Sequence, residues 1–282
     1  MNAAQKITLA EKALKIRKGA LFAVYSGRSG HPGGSLSIAD VLAYLYFHEL
    51  RVDPEKPRTP NRDRVVLSKG HCAPGWYAAL ALKGYFPWEK LATFRHLDSM
   101  LQGHPNMHDT PGVDMSTGSL GQGISAACGM ALSAKISNED YHVYTILGDG
   151  ELEEGEVWEA AMFAAQYKLD NLVAWVDNNG LQIDGKITDV MSPLPIPEKF
   201  RAFGWHVIEI DAHDFDQIDA AYAEAKTVKG KPTVIVAHSV KGKGVSFMEN
   251  QAGWHGAAPN DEQYAQAIAE LDEAGRKLGV SA

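Results

Sequence analysis

Between about residues 141 and 237, four short apolar runs alternate with longer stretches of helical periodicity. A strand followed by a helix and another strand predicts a parallel sheet, because parallel neighbours need a crossover that covers a face of the sheet. We therefore predict an α/β fold of three layers (α/β/α) with a mostly parallel sheet. Strands are predicted at 64–68, 141–147, 172–176, 206–210 and 233–237, and helices at 5–27, 37–50, 74–83, 88–97, 120–136, 154–168, 214–228 and 261–279.

Composition narrows the class of protein. The chain has 282 residues and a net charge of −8, so no basic field is available to bind nucleic acid or an anionic membrane. It has no run of apolar residues long enough to span a bilayer, and its N-terminus lacks a signal core. The two cysteines, Cys72 and Cys128, fit no metal spacing and are expected to be buried thiols. We expect one cytoplasmic domain over residues 1–282, with an N-terminal helical extension.

Polar residues follow two successive predicted strands. Gly148-Asp149-Gly150 closes one strand, and Asn179 closes the next. Ligands of parallel sheets bind beyond the carboxyl ends of the strands, so these residues are expected to meet. The Asp149 carboxylate, the Asn179 amide oxygen and a backbone carbonyl just after Asn179, such as that of Leu181, form a set of hard oxygen donors. Mg²⁺ prefers such donors together with phosphate oxygens, and Ca²⁺ or Mn²⁺ is expected to substitute for it.

Four of the eleven histidines lie beside a glycine, in segments predicted to be loops. Imidazoles held in this way can exchange hydrogen bonds with a hydroxylated ligand and can move protons near neutral pH. None shows the two-histidine helical spacing of a zinc site, so metal ligation is disfavoured. We predict a catalytic role for His31, His71, His104 and His255.

In these residues and motifs the sequence resembles the transketolase family, and in particular the N-terminal subunit of split transketolases. The shared motifs span residues 29–256 in the same order; they are Ser29-Gly30-His31-Pro32-Gly33, Leu67-Ser68-Lys69-Gly70-His71, Gly103-His104-Pro105, Thr117-Gly118-Ser119-Leu120-Gly121-Gln122-Gly123, Gly148-Asp149-Gly150 and His255-Gly256. Ser119 stands where many full-length transketolases have proline, and residues 33–37 also depart from the usual sequence.

The resemblance implies the diphosphate-binding (PP-type) domain of the thiamine-diphosphate fold. It implies metal ligation by Asp149, Asn179 and the Leu181 carbonyl. It also implies thiamine diphosphate contacts from His71, Gly118, Ser119, Leu120, Gly148, Asp149, Gly150, Asn179 and His255. Glu154 matches a family residue near the dimer axis.

The family supplies the glutamate that activates the cofactor, and most arginines that bind the substrate phosphate, from a second domain. The resemblance therefore implies a partner, a C-terminal transketolase subunit carrying the pyrimidine-binding and C-terminal domains, in an α2β2 assembly. With that partner, a two-carbon ketol unit would pass from a ketose (phosphate) to an aldose (phosphate), as in the pentose phosphate pathway and related carbohydrate metabolism. The cofactor acts as the electron sink.

Several other functions stay open at the level of sequence. An α-subunit of a 2-oxo acid dehydrogenase would share the metal motif, but we would not expect it to keep Gly30-His31-Pro32 and Gly103-His104-Pro105. A half-length relative of deoxyxylulose phosphate synthase is a second enzyme. A non-catalytic module of the same fold that binds and regulates a partner is a third reading. A nucleotide-binding Rossmann protein is disfavoured, because the glycine spacing does not fit Gly-x-Gly-x-x-Gly after a first strand.

Overall fold

The computed structural model describes residues 1–280. Its strands are β1 (Arg64–Leu67), β2 (Val143–Gly148), β3 (Leu172–Asn178), β4 (Leu181–Gln182), β5 (Gly185–Lys186), β6 (His206–Asp211) and β7 (Thr233–His238). Its helices are α1 (Ala3–Ser26), α2 (Pro32–Ser37), α3 (Ala39–Tyr44), α4 (Ala73–Lys83), α5 (Gln122–Ser137), α6 (Gly155–Gln166), α7 (Ile187–Val190), α8 (Ile196–Ala202), α9 (Phe215–Thr227) and α10 (Asp261–Leu278).

A five-stranded sheet forms the centre of the fold, in the order β1-β2-β3-β7-β6, and every neighbouring pair is parallel. Successive residues of a strand point to opposite faces. In β3, Trp175 packs into the core that holds α1, α3, α4 and α9, whereas Ala174 and Val176 pack into the core with α5, α6 and α8. The predicted three-layer α/β architecture is confirmed.

The long N-terminal helix α1 is fixed at both its start and its sides. The Asn2 side chain accepts a hydrogen bond from the Gln5 backbone N–H, and the Gln5 side chain accepts one from the Asn2 N–H. This reciprocal capping box satisfies donors that the first turn of a helix leaves unpaired. Further along, α1 packs against α3, α4 and α10 and buries Leu9, Ile16 and Val24.

Two of the predicted helices differ in the structure. The stretch predicted at 37–50 is α3 followed by one wide π-helical turn, Leu45–Glu49, in which the Leu50 N–H donates to the Leu45 carbonyl. The helix predicted at 88–97 is wrong, because only a 3₁₀ helix forms, over Trp88–Thr93. Arg95 then adopts a left-handed backbone, with φ of 60°, which no continuing right-handed helix allows.

Short elements after β3 were not predicted. The antiparallel pair β4–β5 and the helices α7 and α8 occupy residues left without a prediction. Strands of two residues carry too little periodicity to be recognised. Both cysteines are free thiols and buried, as predicted. Within residues 1–280, no helix is both long and apolar enough to cross a membrane.

Candidate active site

The carboxyl edge of the sheet brings Asp149 and Asn179 into one cavity of about 250 Å³. Asp149 is 2% exposed, and its two oxygens accept hydrogen bonds from the Gly150 and Gly180 N–H groups. The Asn179 Oδ1 atom accepts a hydrogen bond from the Leu181 N–H over 3.1 Å. The carboxylate and amide oxygens are thus held by backbone groups rather than free to rotate.

Burial disfavours the charged form of Asp149. It raises the pKa of this carboxyl to about 6, and the neighbouring charge of Asp177 adds to the effect. A cation in the cavity would reverse this balance, because opposite charge favours the ionised carboxylate. The site therefore fits a bound cation.

A fully buried ion pair lies directly behind this edge. The Lys69 ammonium, which follows β1, donates to the Asp177 carboxylate at the end of β3, and the side chains are 2% and 1% exposed. Asp177 also accepts hydrogen bonds from the Ser37 and Ser239 hydroxyls and from the Asn179 amide at 2.9 Å. Hydrogen bonds to its Oδ1 atom and from its Nδ2 atom therefore fix the orientation of the Asn179 side chain.

The two members of this pair hold each other in the charged state. Burial alone would raise the pKa of Asp177, but the Lys69 charge and the hydrogen bonds outweigh burial and lower that pKa below its usual value. Burial likewise opposes the Lys69 ammonium, yet the charge of Asp177 outweighs it and raises the pKa of Lys69. Ionised partners satisfied by several hydrogen bonds are the form in which charges persist inside proteins.

The four predicted histidines gather on one side of the cavity. The ring centroid of His31 lies 5.2 Å from that of His71, 5.4 Å from that of His255 and 6.4 Å from that of His104. Gly118 packs flat on the His104 ring, since a Cβ atom added to it would lie 2.9 Å from Cγ of that ring. The first and last of these histidines are more than 220 positions apart in the sequence, and the fold brings them together.

All four imidazoles are biased towards the neutral form. Burial lowers the pKa of His31 to about 4 and that of His255 to about 3, with Arg95 and Lys241 as the next causes, respectively. Burial also lowers the pKa of His71 and of His104. Neutral imidazoles carry one acceptor and one donor nitrogen, which suits exchange of hydrogen bonds with sugar-like hydroxyls at pH 7.

These shifts predict that the protein loses stability on mild acidification. Unfolded histidines bind protons below about pH 6.5, whereas folded His31 stays neutral down to about pH 4. The unfolded state therefore binds more protons in this window, and the free energy of unfolding falls as the pH falls from about 6.5 to 4. Urea unfolding at pH 7, 6 and 5 measures the slope. His31→Asn is expected to flatten it, while the exposed His238→Asn serves as the control.

Besides Lys69, the cavity contains a second cationic side chain, Lys241, to which the sequence had assigned no role. The Lys241 ammonium lies 3.2 Å from the Leu181 carbonyl oxygen and 3.0 Å from His255 Nδ1. Burial lowers the pKa of Lys241, and the Lys69 charge contributes in the same direction. Its position after β7, in Lys241-Gly242-Lys243-Gly244, was a sequence signal of a strand-end ligand group, because it is where the other site residues also occur.

Nearly all the predicted site residues line this cavity. Ser119 does not, although both its neighbours do. The predicted lining residues are His31, His71, His104, Gly118, Leu120, Gly148, Asp149, Gly150, Asn179, Leu181 and His255, and the additional ones are Gly34, Lys69, Glu151, Gln182, Ile183 and Lys241. Glu151 was not predicted to belong to the site, yet it is buried and accepts hydrogen bonds from the Gly121 and Gly148 N–H groups.

Known proteins are similar to this chain in sequence and in fold. The family of the transketolase thiamine diphosphate binding domain matches residues 9–275. The 6-deoxy-6-sulfo-D-fructose transketolase subunit SqwG of Clostridium sp. (strain MSTE9) is 49% identical over 96% of this chain and 98% of that subunit. An apulose-4-phosphate transketolase subunit of Phocaeicola vulgatus is 43% identical over 96% of each chain.

Longer relatives match over part of their length. Human transketolase is 41% identical over 93% of this chain but only 42% of its own length. The crystal structure of transketolase from Campylobacter jejuni superimposes on the whole chain with a TM-score of 0.88 and 33% identity, and the chain spans 44% of that structure. The chain belongs to the transketolase family and corresponds to its thiamine diphosphate binding domain.

Proposed function

We propose that this chain is the thiamine diphosphate-binding subunit of a two-subunit transketolase. The observation that carries the proposal is that Asp149, Asn179 and the four histidines line one cavity at the carboxyl edge of the sheet. In this proposal residues 1–282 act as one PP-type domain, and a partner subunit contributes the pyrimidine-binding half of the site. The assembly would be α2β2, like a full-length transketolase dimer cut once in each chain.

The residues present fit both the cofactor and a divalent metal. Asp149 is the one carboxylate among the proposed ligands, and residues 1–280 hold no cluster of three His, Cys, Asp or Glu side chains that could bind a metal alone. The metal would therefore need phosphate oxygens, as Mg²⁺ commonly does. Asp149, Asn179 and the Leu181 carbonyl would hold it, and Lys241 would face the diphosphate. When bound, thiamine diphosphate supplies a carbon nucleophile and an electron sink for ketose cleavage.

The chain's own residues would then handle protons and orientation. We propose that His71 and His255, whose rings are stacked with centroids 5.0 Å apart, contact the cofactor. His31 Nδ1 is buried and has no hydrogen-bond partner among the described residues, so a substrate hydroxyl that displaced the ring slightly would satisfy it. Neutral His31 and His104 would accept or donate the hydroxyl protons that shift when a ketose is cut and an aldose is extended.

The surface beside the cavity supports a partner subunit. Ile183, which lines the cavity, is 66% exposed, and Met191 nearby in sequence is 64% exposed. Val190 and Leu194 of the same segment are 41% and 46% exposed. Exposed apolar side chains concentrated in one segment of the chain are typical of a protein–protein interface. A partner placed here would close the cavity and exclude water from it.

The relatives indicate the class of substrate. One named relative acts on 6-deoxy-6-sulfo-D-fructose and another on apulose 4-phosphate, so related subunits serve anionic ketoses outside ordinary pentose phosphates. We propose a ketose bearing a phosphate or sulfonate as the donor and an aldose (phosphate) as the acceptor. The free, buried thiols of Cys72 and Cys128 fit a reducing compartment such as the cytoplasm.

The chain is predicted to be inactive alone and active with its partner. Purified chain, thiamine diphosphate and Mg²⁺ would be assayed with anionic ketose donors, with and without the partner subunit, and mass would be followed by light scattering. Ketol transfer is expected only in the mixture, at the mass of two copies of each chain. Transfer by the chain alone would contradict the partner requirement, and no transfer by the mixture with any ketose would contradict the function.

The proposed interface can be tested within the same assay. Met191→Glu places a charge in the apolar segment and is expected to weaken association by at least about 10-fold, since a buried unpaired charge is costly. Leu278→Glu is the matched control, because Leu278 is 43% exposed at the far end of α10. If both variants associated equally well with the partner, the segment that contains Met191 would not be part of the interface.

A further inference from the structure

Two consecutive residues outside the cavity, Phe94 and Arg95, contact the loops of two site histidines. They follow the 3₁₀ helix Trp88–Thr93. The Arg95 N–H donates to the Leu101 carbonyl over 2.9 Å, which closes the intervening loop. Arg95 holds a left-handed backbone, at φ of 60°. That conformation is unfavourable for a residue with a side chain, so surrounding contacts must maintain it.

Phe94 packs against the residue that precedes His31. Its ring is fully buried, and a Cβ atom added to Gly30 would lie 2.8 Å from Phe94 Cε1. That separation is too short for a real carbon–carbon contact, so only glycine allows the backbone to approach the ring this closely. The position of Phe94 therefore determines the path of the backbone just before His31.

Arg95 makes the corresponding contact with the residue that precedes His104. A Cβ atom added to Gly103 would lie 2.7 Å from Arg95 Nε and 2.9 Å from Nη2, so the guanidinium lies against the glycine backbone. Its Nη1 atom also donates to the Ser29 hydroxyl over 2.6 Å, two residues before His31. One planar group thus touches both histidine loops.

The charge of Arg95 acts on the same two imidazoles. Its hydrogen bond goes to a neutral hydroxyl, and its Nε atom is buried without a hydrogen-bond partner among the described residues. After burial, the Arg95 charge is the largest cause that lowers the pKa of both His31 and His104. A cation near two imidazoles opposes their protonation.

We infer that Arg95, supported by Phe94, is a positioning residue that fixes the spacing between His31 and His104. The inference rests on the proposed function for its catalytic meaning, because these are the histidines assigned to the substrate hydroxyls. Arg95 itself does not line the cavity. Arg95 would hold the imidazoles of His31 and His104 at a fixed spacing. Its charge would also keep both imidazoles neutral when a substrate binds.

Two substitutions separate placement from charge. Arg95→Asn removes the guanidinium while tolerating the left-handed backbone, and Arg95→Lys keeps the charge but loses the flat contact with Gly103. Arg28→Asn is the matched control, since Arg28 also has a positive φ, of 47°, and its side chain pairs with Asp261 instead. Thermal unfolding would verify that each variant folds.

The first measurement needs neither a partner nor a sugar. In the full chain, NMR titration of the imidazoles is expected to show higher pKa values for His31 and His104 in Arg95→Asn, and values near wild type in Arg95→Lys and Arg28→Asn. Unchanged titration in a folded Arg95→Asn variant would overturn the inference. Because this readout is independent of transketolase activity, it stands even if the proposed function fails.

The second measurement uses the complex of the chain with cofactor and its partner. Arg95→Lys is expected to lower kcat by about 10- to 100-fold, because small displacements of catalytic groups are costly, while KM for thiamine diphosphate stays near wild type. If Arg95→Lys had the kcat of the wild type, Arg95 would not position the two histidines. This outcome can be read even if the Arg95→Asn variant does not fold. Gly103→Ala should be far less harmful in the Arg95→Asn background than alone, since the clash with the guanidinium is gone.

Discussion

Asp149→Asn is expected to abolish the stabilisation of the protein by thiamine diphosphate and Mg²⁺. In the wild type, a ligand at 100 times its Kd raises the free energy of unfolding by about 2.7 kcal/mol. The amide removes the one carboxylate of the proposed metal site and presents an N–H₂ group to the Gly150 or Gly180 N–H donors. We expect affinity for the cofactor to fall at least about 100-fold, as losses at metal sites do even from less direct partners.

Thermal unfolding with and without cofactor and metal, in the presence of the partner subunit, measures this loss. Asp170→Asn is the matched control, because Asp170 also accepts a backbone hydrogen bond, from Gly230, but lies away from the cavity and pairs with Lys135. The control should keep the full shift on cofactor addition. A wild-type shift in Asp149→Asn would show that this carboxylate does not hold the metal.

The sequence predicted the features of this site that depend on strand order. Asp149 and Asn179 each follow a buried apolar run, and parallel strands deliver such residues to one edge whatever the details of the helices between them. The same reasoning predicted the five strands of the main sheet to within two residues at each end. The four histidines were recognised through their glycine neighbours, and in the structure their rings lie close together.

Features that depend on tertiary contact were not predicted. The helix expected at 88–97 does not form, because Phe94 is held against Gly30, which lies far away in sequence, and Arg95 is held against Gly103. No role was assigned to Lys241, because nothing in its own segment shows that it faces His255. Burial and pairing of Asp177 with Lys69 likewise exist only after the strands have assembled.

The second large expected effect concerns the stability contributed by the buried ion pair of Lys69 and Asp177. Asp177→Asn is expected to lower the free energy of unfolding by about 3–5 kcal/mol, because it leaves the Lys69 ammonium buried without a counter-charge. The matched control is Asp170→Asn, which removes the partner of the more exposed Lys135 and should cost no more than about 1 kcal/mol. Urea unfolding at pH 7 compares the two. A cost for Asp177→Asn as small as that of the control would show that Lys69 is not held as a buried cation.

The double variant Lys69→Met/Asp177→Asn separates stability from function. Removing both charges takes away the desolvation cost as well as the attraction, so most of the lost stability should return. Cofactor binding should not return, because Asn179 would lose the carboxylate that its amide contacts at 2.9 Å, and the cavity would lose a lysine that lines it. A double variant as unstable as Asp177→Asn alone would mean that the hydrogen bonds of Asp177, rather than its pairing with Lys69, stabilise the fold. Recovery of stability together with full cofactor binding would mean that the pair is a structural element with no role in orienting Asn179.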